Sequence, residues 1–279
     1  MAKNGSEFSL VTINILNDLS RWRQRRRLLA EQLAELQPDL IALQEVNLKK
    51  DKSNAHWLAE ELNRGKDESK TTPYEVQLCP KTGPYERKEG LAILSCLKVN
   101  RHERLDLLTQ NRVAQLIEFR VDGEMMMLVN THFYWQPGES PERQQQIELL
   151  LDWLDTQPVE IPVIVCGDFN SLPDTPSIER MRRYFDSAHN NIHGCEPEYT
   201  CPTPMSPSVK VILRSTATYL LGRRPRPNPE WRGTLDYIFV DPRLQVQNCC
   251  VVLDRPADGD SQIYPSDHFG LLATIKASL

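Results

Sequence analysis

The hydrophobic and polar positions near the start of the chain follow two different periods. Residues 9–14 are rich in β-branched side chains and predict a strand. From residue 21 to residue 36 the leucines recur at helical spacing, and Pro38 breaks the predicted helix. The apolar run at 40–44 then predicts a short buried strand. The chain therefore opens with a strand, a helix and a second strand.

The remaining pattern is mostly β with a few helices between the strands. A helix is predicted at 54–62, and a second begins where Ser140 can cap it, Pro141 suits the first turn and Glu142 favours the positive end of the helix dipole. Further strands are predicted at 91–97, 113–121, 125–131, 161–166, 235–240, 248–253 and 269–276. This order predicts stacked sheets flanked by helices.

Composition narrows the classes of protein that fit. Among 279 residues, 33 Lys and Arg stand against 38 Asp and Glu, and the resulting net charge of −5 excludes a protein that coats nucleic acid by bulk attraction. No stretch reaches the roughly 20 apolar residues that span a bilayer, and the first residues lack the apolar core of a secretory signal. The seven cysteines are an odd number without a C-x-x-C pair. We therefore predict free thiols in a cytoplasmic protein, with no membrane and no obvious protein partner.

Two segments are strongly basic. Five arginines lie between Arg21 and Arg27, and because charge runs are common on exposed helices we predict a solvated helix face there. Residues 203–230 hold five prolines and five basic side chains, and they predict a long surface insertion. Two interpretations of this insertion are equally good: it covers one side of a site for an anionic substrate, or it is an inert flexible loop.

Polar side chains recur where the predicted strands begin or end. They are four carboxylates, two asparagines and two histidines: Glu45, Asp168, Asp236, Asp267, Asn14, Asn170, His132 and His268. Apolar strands that each deliver one polar residue can build a shared site at one rim. Because the set is rich in oxygen and free of sulfur, it suits Mg²⁺ or Mn²⁺ better than zinc.

Six short blocks in order resemble the signature of the endonuclease/exonuclease/phosphatase superfamily. They are Thr12-Ile-Asn-Ile-Leu16, Leu43-Gln-Glu-Val46, Asn130-Thr-His132, Gly167-Asp-Phe-Asn170, Leu235-Asp-Tyr-Ile-Phe239 and Ser266-Asp-His268. The segments Asn14-Ile-Leu16, Asn130-Thr-His-Phe-Tyr-Trp135 and Tyr264-Pro-Ser-Asp-His268 are similar to the deadenylase/nocturnin-like branch, and Arg143-x-x-Gln146 resembles generic bacterial-type members. The resemblance implies one α/β domain over residues 1–279. It also implies a four-layer sandwich in which two mostly antiparallel β-sheets pack face to face between helices.

The resemblance also implies roles for the site residues. Glu45 would be the principal ligand of one or two Mg²⁺ or Mn²⁺ ions, helped by Asn14 and Asp267. His268 would activate or orient the attacking water, with Asp236 holding its imidazole. Asp168 would position the nucleophile or a second metal.

Three residues are predicted to bind the phosphate. The resemblance implies that His132 and Asn170 bind its oxygens, and Arg112 occupies a position where relatives often place a basic residue. For Arg112, phosphate binding and an ordinary surface arginine are equally good interpretations.

The predicted function is metal-dependent hydrolysis of a phosphodiester, in a nucleotide or at the 3′ end of RNA or DNA. One alternative is a hydrolase of small phosphoesters or phospholipid headgroups. A second is a binding module that keeps the fold without the chemistry. Taken singly, Glu45 could pair with an arginine and Asp168 could stabilise a turn, so the assignment depends on the six blocks occurring together.

Overall fold

The computed structural model describes residues 7–48, 52–64, 72–136, 138, 140–206 and 230–276. The strands are β1 Glu7–Asn14, β2 Leu40–Asn47, β3 Glu75–Pro80, β4 Glu89–Ser95, β5 Val99–Asp106, β6 Val113–Val121, β7 Glu124–His132, β8 Val163–Asp168, β9 Asp186–Ser187, β10 Asp236–Val240, β11 Gln245–Val252 and β12 Gly270–Lys276. The helices are α1 Trp22–Leu36, α2 Asn54–Asn63, α3 Pro141–Asp155, α4 Pro176–Met181 and α5 Ala188–His193, with short 3₁₀ turns at Gly83–Tyr85 and Thr109–Asn111. Most of the predicted insertion at 203–230 lies outside the described residues.

The strands form two six-stranded sheets with matching topology. Their orders are β11-β12-β1-β2-β4-β3 and β5-β6-β7-β8-β10-β9. In each sheet one central pair is parallel, β1 with β2 and β7 with β8, and the other pairs are antiparallel. A crossover helix joins each parallel pair, α1 in the first sheet and α3 in the second, because parallel neighbours need such a connection. The predicted mostly antiparallel pair of sheets is confirmed.

The three largest apolar clusters among the described residues hold the layers together. The central cluster lies between the sheets and joins Phe8 and Leu10 of β1 to Phe119 and Leu128 of the second sheet. A second cluster packs α1 and α2 on the outer face of the first sheet, and a third packs α3 and α4 on the outer face of the second. The result is the four-layer α/β/β/α sandwich.

The inner face of each central strand changes from apolar to polar along its length. Because side chains alternate in a strand, Phe8, Leu10, Thr12 and Asn14 share one face of β1. Gln44 lies level with Asn14 in the pairing of β1 with β2, and its Nε2 donates to Thr12 Oγ1 at 3.0 Å and to Asn130 Oδ1 at 2.7 Å. These buried amides form a polar layer between the apolar core and the site, and sequence analysis did not predict that layer.

The structure contains elements that the sequence pattern missed. β3 and β5 are edge strands, each paired on one side, and β5 alternates between exposed and half-buried side chains. An edge strand needs little apolar surface, so its composition gives a weak signal. The prediction that the second strand ends at residue 44 is wrong, because β2 continues to Asn47 through a register shift between Leu43 and Val46.

The prediction of a solvated arginine face on α1 is wrong for one member. Arg23 and Arg27 are exposed, but Arg25 is 1% exposed. Its guanidinium donates four hydrogen bonds to backbone carbonyls, which compensate for its burial. Among the described residues, no helix has the length and apolar character to span a membrane.

Candidate active site

Strands from both sheets bring polar side chains together at one edge of the sandwich. Asn14 ends β1, His132 ends β7 and Asp168 ends β8. Asn14 Nδ2 donates to Asp168 Oδ2 at 2.9 Å, across the two sheets, and His132 Nε2 lies 3.3 Å from the same oxygen. The parallel pairs β1–β2 and β7–β8 therefore end at one shared cluster.

The backbone at Glu45 turns its side chain into this cluster. Glu45 has a φ of 58°, an unusual value for a non-glycine residue, and lies in the irregular part of β2. Its Oε2 accepts from Asn17 N at 2.8 Å, and its Oε1 accepts from Asn14 Nδ2 at 3.3 Å. Burial raises the pKa of the Glu45 carboxyl, and repulsion from Glu89 and Asp267 raises it further.

His268 forms a buried pair with Asp236. The Nδ1 of His268 donates to Asp236 Oδ2 at 2.9 Å, and Thr200 Oγ1 donates to the same oxygen at 2.6 Å. Burial opposes a charge on His268, but the neighbouring carboxylates of Asp236 and Asp168 and the thiol of Cys201 outweigh it and raise its pKa well above the ordinary value. The carboxylate fixes the orientation of the ring and leaves Nε2 facing Asp168.

Asp168 lies at the centre of the cluster. Its Oδ1 accepts from Asn170 N at 2.9 Å, and its Oδ2 lies 3.9 Å from His268 Nε2. Burial raises the pKa of Asp168 to about 7. Gly167 precedes it with a φ of 134°, and a Cβ there would lie 2.0 Å from the carbonyl oxygen of Thr131, so the close approach of β7 and β8 requires glycine.

Cationic side chains face the carboxylates from one side. Arg112 is 5% exposed, and no hydrogen-bond partner satisfies its buried Nε and Nη1. Lys81 is also buried and pairs with Glu89, whose Oε2 accepts from Asn17 Nδ2 at 3.0 Å. Burial and the positive charges of Arg112 and Lys81 lower the pKa of His132 well below its ordinary value, so His132 is neutral.

Two buried arginines hold the loops that leave the site strands. Arg25 of α1 donates to the carbonyls of Ile15, Leu16 and Asp18, at 2.6–3.1 Å, and to that of Pro265. Arg143 of α3 likewise donates to carbonyls that follow β7, those of Tyr134, Gln136 and Gly138. The two crossover helices therefore fix the strand ends in the same manner in both sheets.

The donor set fits a hard divalent cation. The carboxylates of Glu45 and Asp267 repel each other, and a bound cation would compensate that repulsion. The Oδ1 of Asn14 accepts from Leu16 N at 3.0 Å, so its nitrogen faces the carboxylates, and metal binding by Asn14 stays a prediction. Asp168, Asp236 and His268 also place one donor atom each within 4.8 Å of one another. In that second group Asp236 and His268 are already hydrogen-bonded to each other.

The structure brings the predicted site residues into one region. Asn170 lies beside the cluster and donates through Nδ2 to Phe133 O at 3.2 Å. Asp267 accepts from Ser266 Oγ at 3.2 Å. Sequence analysis missed Lys81, Glu89 and Thr200, because none of them lies in the six blocks and none of their local patterns distinguishes them from ordinary polar residues.

The sandwich therefore gathers carboxylates, imidazoles and a buried arginine at one edge. A model of the Endonuclease/Exonuclease/phosphatase family matches residues 11–268, and the chain belongs to this family.

Its relatives agree with that assignment. Nocturnin from Homo sapiens is 26% identical over 268 residues, which cover 90% of this chain and 58% of nocturnin. The CCR4-Not complex 3′-5′-exoribonuclease subunit Ccr4 from Candida albicans is 24% identical, over 92% of this chain and 38% of that protein. The human nocturnin catalytic domain with bound sulfate superposes with a TM-score of 0.71 at 24% identity, over 97% of this chain and 93% of the other.

Proposed function

We propose that this chain hydrolyses a phosphodiester in a nucleotide or at a nucleic-acid 3′ end. One observation carries the proposal: Arg112 is buried beside the cluster that holds the His268–Asp236 pair, and its Nε and Nη1 have no hydrogen-bond partner. Guanidinium nitrogens that lack a protein partner are suited to a phosphate, which an arginine can bind through two parallel hydrogen bonds. The similarity to an exoribonuclease subunit supports a nucleic-acid substrate.

We assign phosphate binding, proton transfer and positioning of the water to different side chains. Arg112, neutral His132 and the amide of Asn170 are the donors for the phosphoryl oxygens, where negative charge gathers in the transition state. Asp168, with its pKa raised to about 7, is matched to accept a proton from the attacking water near neutral pH. His268 keeps the attacking water and the phosphoryl group in line, and Asp236 and Thr200 keep its ring in place.

Glu45 and Asp267 are the proposed cation ligands, with Asn14 beside them. A bound Mg²⁺ or Mn²⁺ would supply charge stabilisation to the phosphoryl group. Asn17 N donates to the Glu45 carboxylate, and Ser266 links Asp267 to the end of β1 because its Oγ donates to Asn14 O at 2.6 Å.

All seven cysteines are described and none forms a disulfide, which supports our proposal of a reducing, cytoplasmic setting.

A substrate panel tests the proposed function. Purified protein would be assayed with Mg²⁺ and with Mn²⁺ against oligonucleotides, nucleotides, inositol phosphates and sphingomyelin. We expect hydrolysis of the oligonucleotides or nucleotides, and its loss in Glu45→Ala, Asp168→Ala and His268→Ala. Preference for the lipid or inositol compounds would move the substrate to small phosphoesters. Full activity in the three folded variants, or no hydrolysis of any substrate, would overturn the assignment.

Arg112→Lys is expected to raise KM more than it lowers kcat. Lysine keeps the positive charge near Glu45 and Glu89 but cannot form the paired hydrogen bonds of a guanidinium. We expect KM to rise about tenfold, which corresponds to about 1.4 kcal/mol of lost binding. Steady-state kinetics on the preferred panel substrate measure this change, with exposed Arg120→Lys as the control. An unchanged KM would remove Arg112 from the phosphate site.

A further inference from the structure

We propose that Arg23, Arg26 and Arg27, in the first two turns of α1, bind the phosphate backbone of a single-stranded nucleic acid beside the active site. We call these three side chains the arginine ridge, and no step of the proposed hydrolysis uses them. The inference rests on the proposed function only where it concerns hydrolysis, because binding of a nucleic acid is measurable without cleavage.

The first turns of α1 lie against the loops that border the active site. Arg25 of these turns donates to Ile15 O at 2.9 Å and to Pro265 O at 3.1 Å. Ile15 directly follows the site residue Asn14, and Pro265 lies two residues before Asp267. A strand that is bound at the active site can therefore continue across the arginine ridge.

The positive charge of α1 stands at the end of the helix where it costs stability. The positive end of the helix dipole favours acidic side chains and disfavours cations. The first turn of α1 contains no acidic residue, and no side chain caps it. The acids of this helix, Glu31 and Glu35, come only in its later turns. Arg25 has a structural role, but the fold does not require three more arginines beside it, which indicates that they serve binding.

The charges of the arginine ridge are not compensated within the described part of the chain. No ion pair there involves Arg23, Arg26 or Arg27, whereas exposed Arg64 pairs with Glu61 at 3.0 Å. Burial and the like charges of Arg23 and Arg27 lower the pKa of Arg26, and the attraction of Glu61 opposes them. Because Glu61 is already paired, a bound anion would relieve the repulsion among the three arginines.

A tryptophan of α2 holds the central arginine of the ridge in place. The Cζ of Arg26 lies 4.3 Å from the centre of the Trp57 ring, and Trp22 packs edge-on against the same ring at 6.4 Å between ring centres. A guanidinium stacked on an indole keeps the N–H groups at its edge available to a phosphate. The stack therefore orders Arg26 before the ligand arrives, which lowers the entropic cost of binding.

The chemistry of the ridge favours a nucleic acid over a lipid surface. All three cations are arginines, which bind phosphates through paired hydrogen bonds, and an aromatic ring beside basic groups is typical of surfaces that bind single strands. A helix that lies on a membrane presents a large apolar face next to its basic face. In α1 that face is not available, because Leu29 and Leu33 are fully buried against the first sheet.

The first experiment measures binding to the full chain in EDTA, where metal-dependent cleavage cannot occur. Fluorescence anisotropy would follow a labelled single-stranded RNA of about 12 nucleotides at several salt concentrations. In a variant with Arg23→Gln, Arg26→Gln and Arg27→Gln we expect the affinity to fall at least about tenfold. The slope of log affinity against log salt should shrink by about 0.7 for each phosphate contact that is lost, and so by about 2 in this variant. An unchanged affinity would overturn the ridge.

A matched variant separates the ridge from a general effect of net charge. Arg120→Gln, Arg183→Gln and Arg243→Gln together remove the same charge from exposed positions elsewhere, and this variant should bind RNA as the unmodified protein does. Lysine at the three ridge positions should restore most of the salt slope, because it keeps the charge. Thermal unfolding checks that each variant is folded. Equal loss of affinity in the two glutamine variants, or binding of phosphatidylserine vesicles without binding of RNA, would overturn the assignment.

The second experiment measures how KM depends on substrate length at saturating Mg²⁺. A dinucleotide is too short to reach the ridge from the active site, so KM of the unmodified protein should fall at least about tenfold from a dinucleotide to the longer RNA. In the glutamine variant of the ridge we expect most of this gain to be lost. If RNA binds through the ridge but nothing is hydrolysed, the ridge stands and the proposed function fails. If substrates are hydrolysed with the same length dependence in both proteins, the ridge fails and the proposed function stands.

Discussion

His268→Gln is expected to lower kcat by about 10² to 10⁴ with little change in KM. The side-chain amide can still donate to Asp236, so the buried carboxylate keeps a partner and the fold is preserved. Glutamine lacks the ring nitrogen that keeps the attacking water and the phosphoryl group in line, and the loss of a group that positions the reactants or takes part in proton transfer costs about 10²- to 10⁴-fold. Steady-state kinetics at saturating Mg²⁺ measure the effect.

A matched histidine provides the control for this variant. His189 is exposed on α5, and His189→Gln should retain full activity. Thermal unfolding of both variants separates a chemical effect from a loss of structure. An active His268→Gln enzyme with an unchanged kcat would exclude His268 from the reaction, whereas a rise in KM alone would make it a substrate-binding group.

Glu45→Gln is expected to abolish metal-dependent activity and, in the absence of metal, to raise the melting temperature. In the folded protein, burial of the Glu45 carboxylate and repulsion from Glu89 and Asp267 both disfavour its charged form. The pKa of Glu45 is therefore higher in the folded than in the unfolded protein. An acid with a raised folded pKa destabilises the fold once pH is high enough to ionise it. Glutamine removes that charge and can still accept from Asn17 N. Stability gained at the expense of activity is typical of a functional site.

Thermal unfolding with and without Mg²⁺ measures both the metal-free stability and the stabilisation by Mg²⁺. A ligand that binds only the folded state raises its stability, so the unmodified protein should melt at a higher temperature when Mg²⁺ is added. That shift should vanish in Glu45→Gln, and activity should fall by more than about a hundredfold. Glu86→Gln, at an exposed position, serves as the control. A lower metal-free melting temperature in Glu45→Gln, or an unchanged Mg²⁺ shift, would contradict the assigned ligand.

The difference between these two variants separates the two halves of the site. Glu45 belongs to the pair of carboxylates that repel each other, so its neutralisation should stabilise the metal-free fold. His268 belongs to a hydrogen-bonded chain with Asp236 and Thr200, so its replacement should give no such gain. A rise in the melting temperature in Glu45→Gln alone, with activity lost in both variants, would match the proposed geometry.

The sequence by itself determined the main elements and the polar residues at the strand ends. Helix α3 was predicted from its cap, its first turn and its apolar spacing, because those signals act within a few residues along the chain, and Ser140 Oγ does accept from Arg143 N. The polar residues at the strand ends were also predicted, because the alternation of a strand fixes which side chains share a face. The six blocks then indicated the family, which the comparisons confirm.

Only the tertiary structure decided which residues meet and how they are held. Arg25 looked like one of five exposed arginines, yet it binds the carbonyls of two loops that are distant in sequence. Glu45 enters the site through a register shift in β2, which depends on pairing with β4. Thr200 reaches the Asp236 carboxylate that pairs with His268, although 36 residues of chain separate Thr200 from Asp236. Burial, strand register and contacts across the two sheets arise from non-local packing, and for that reason a local pattern does not encode them.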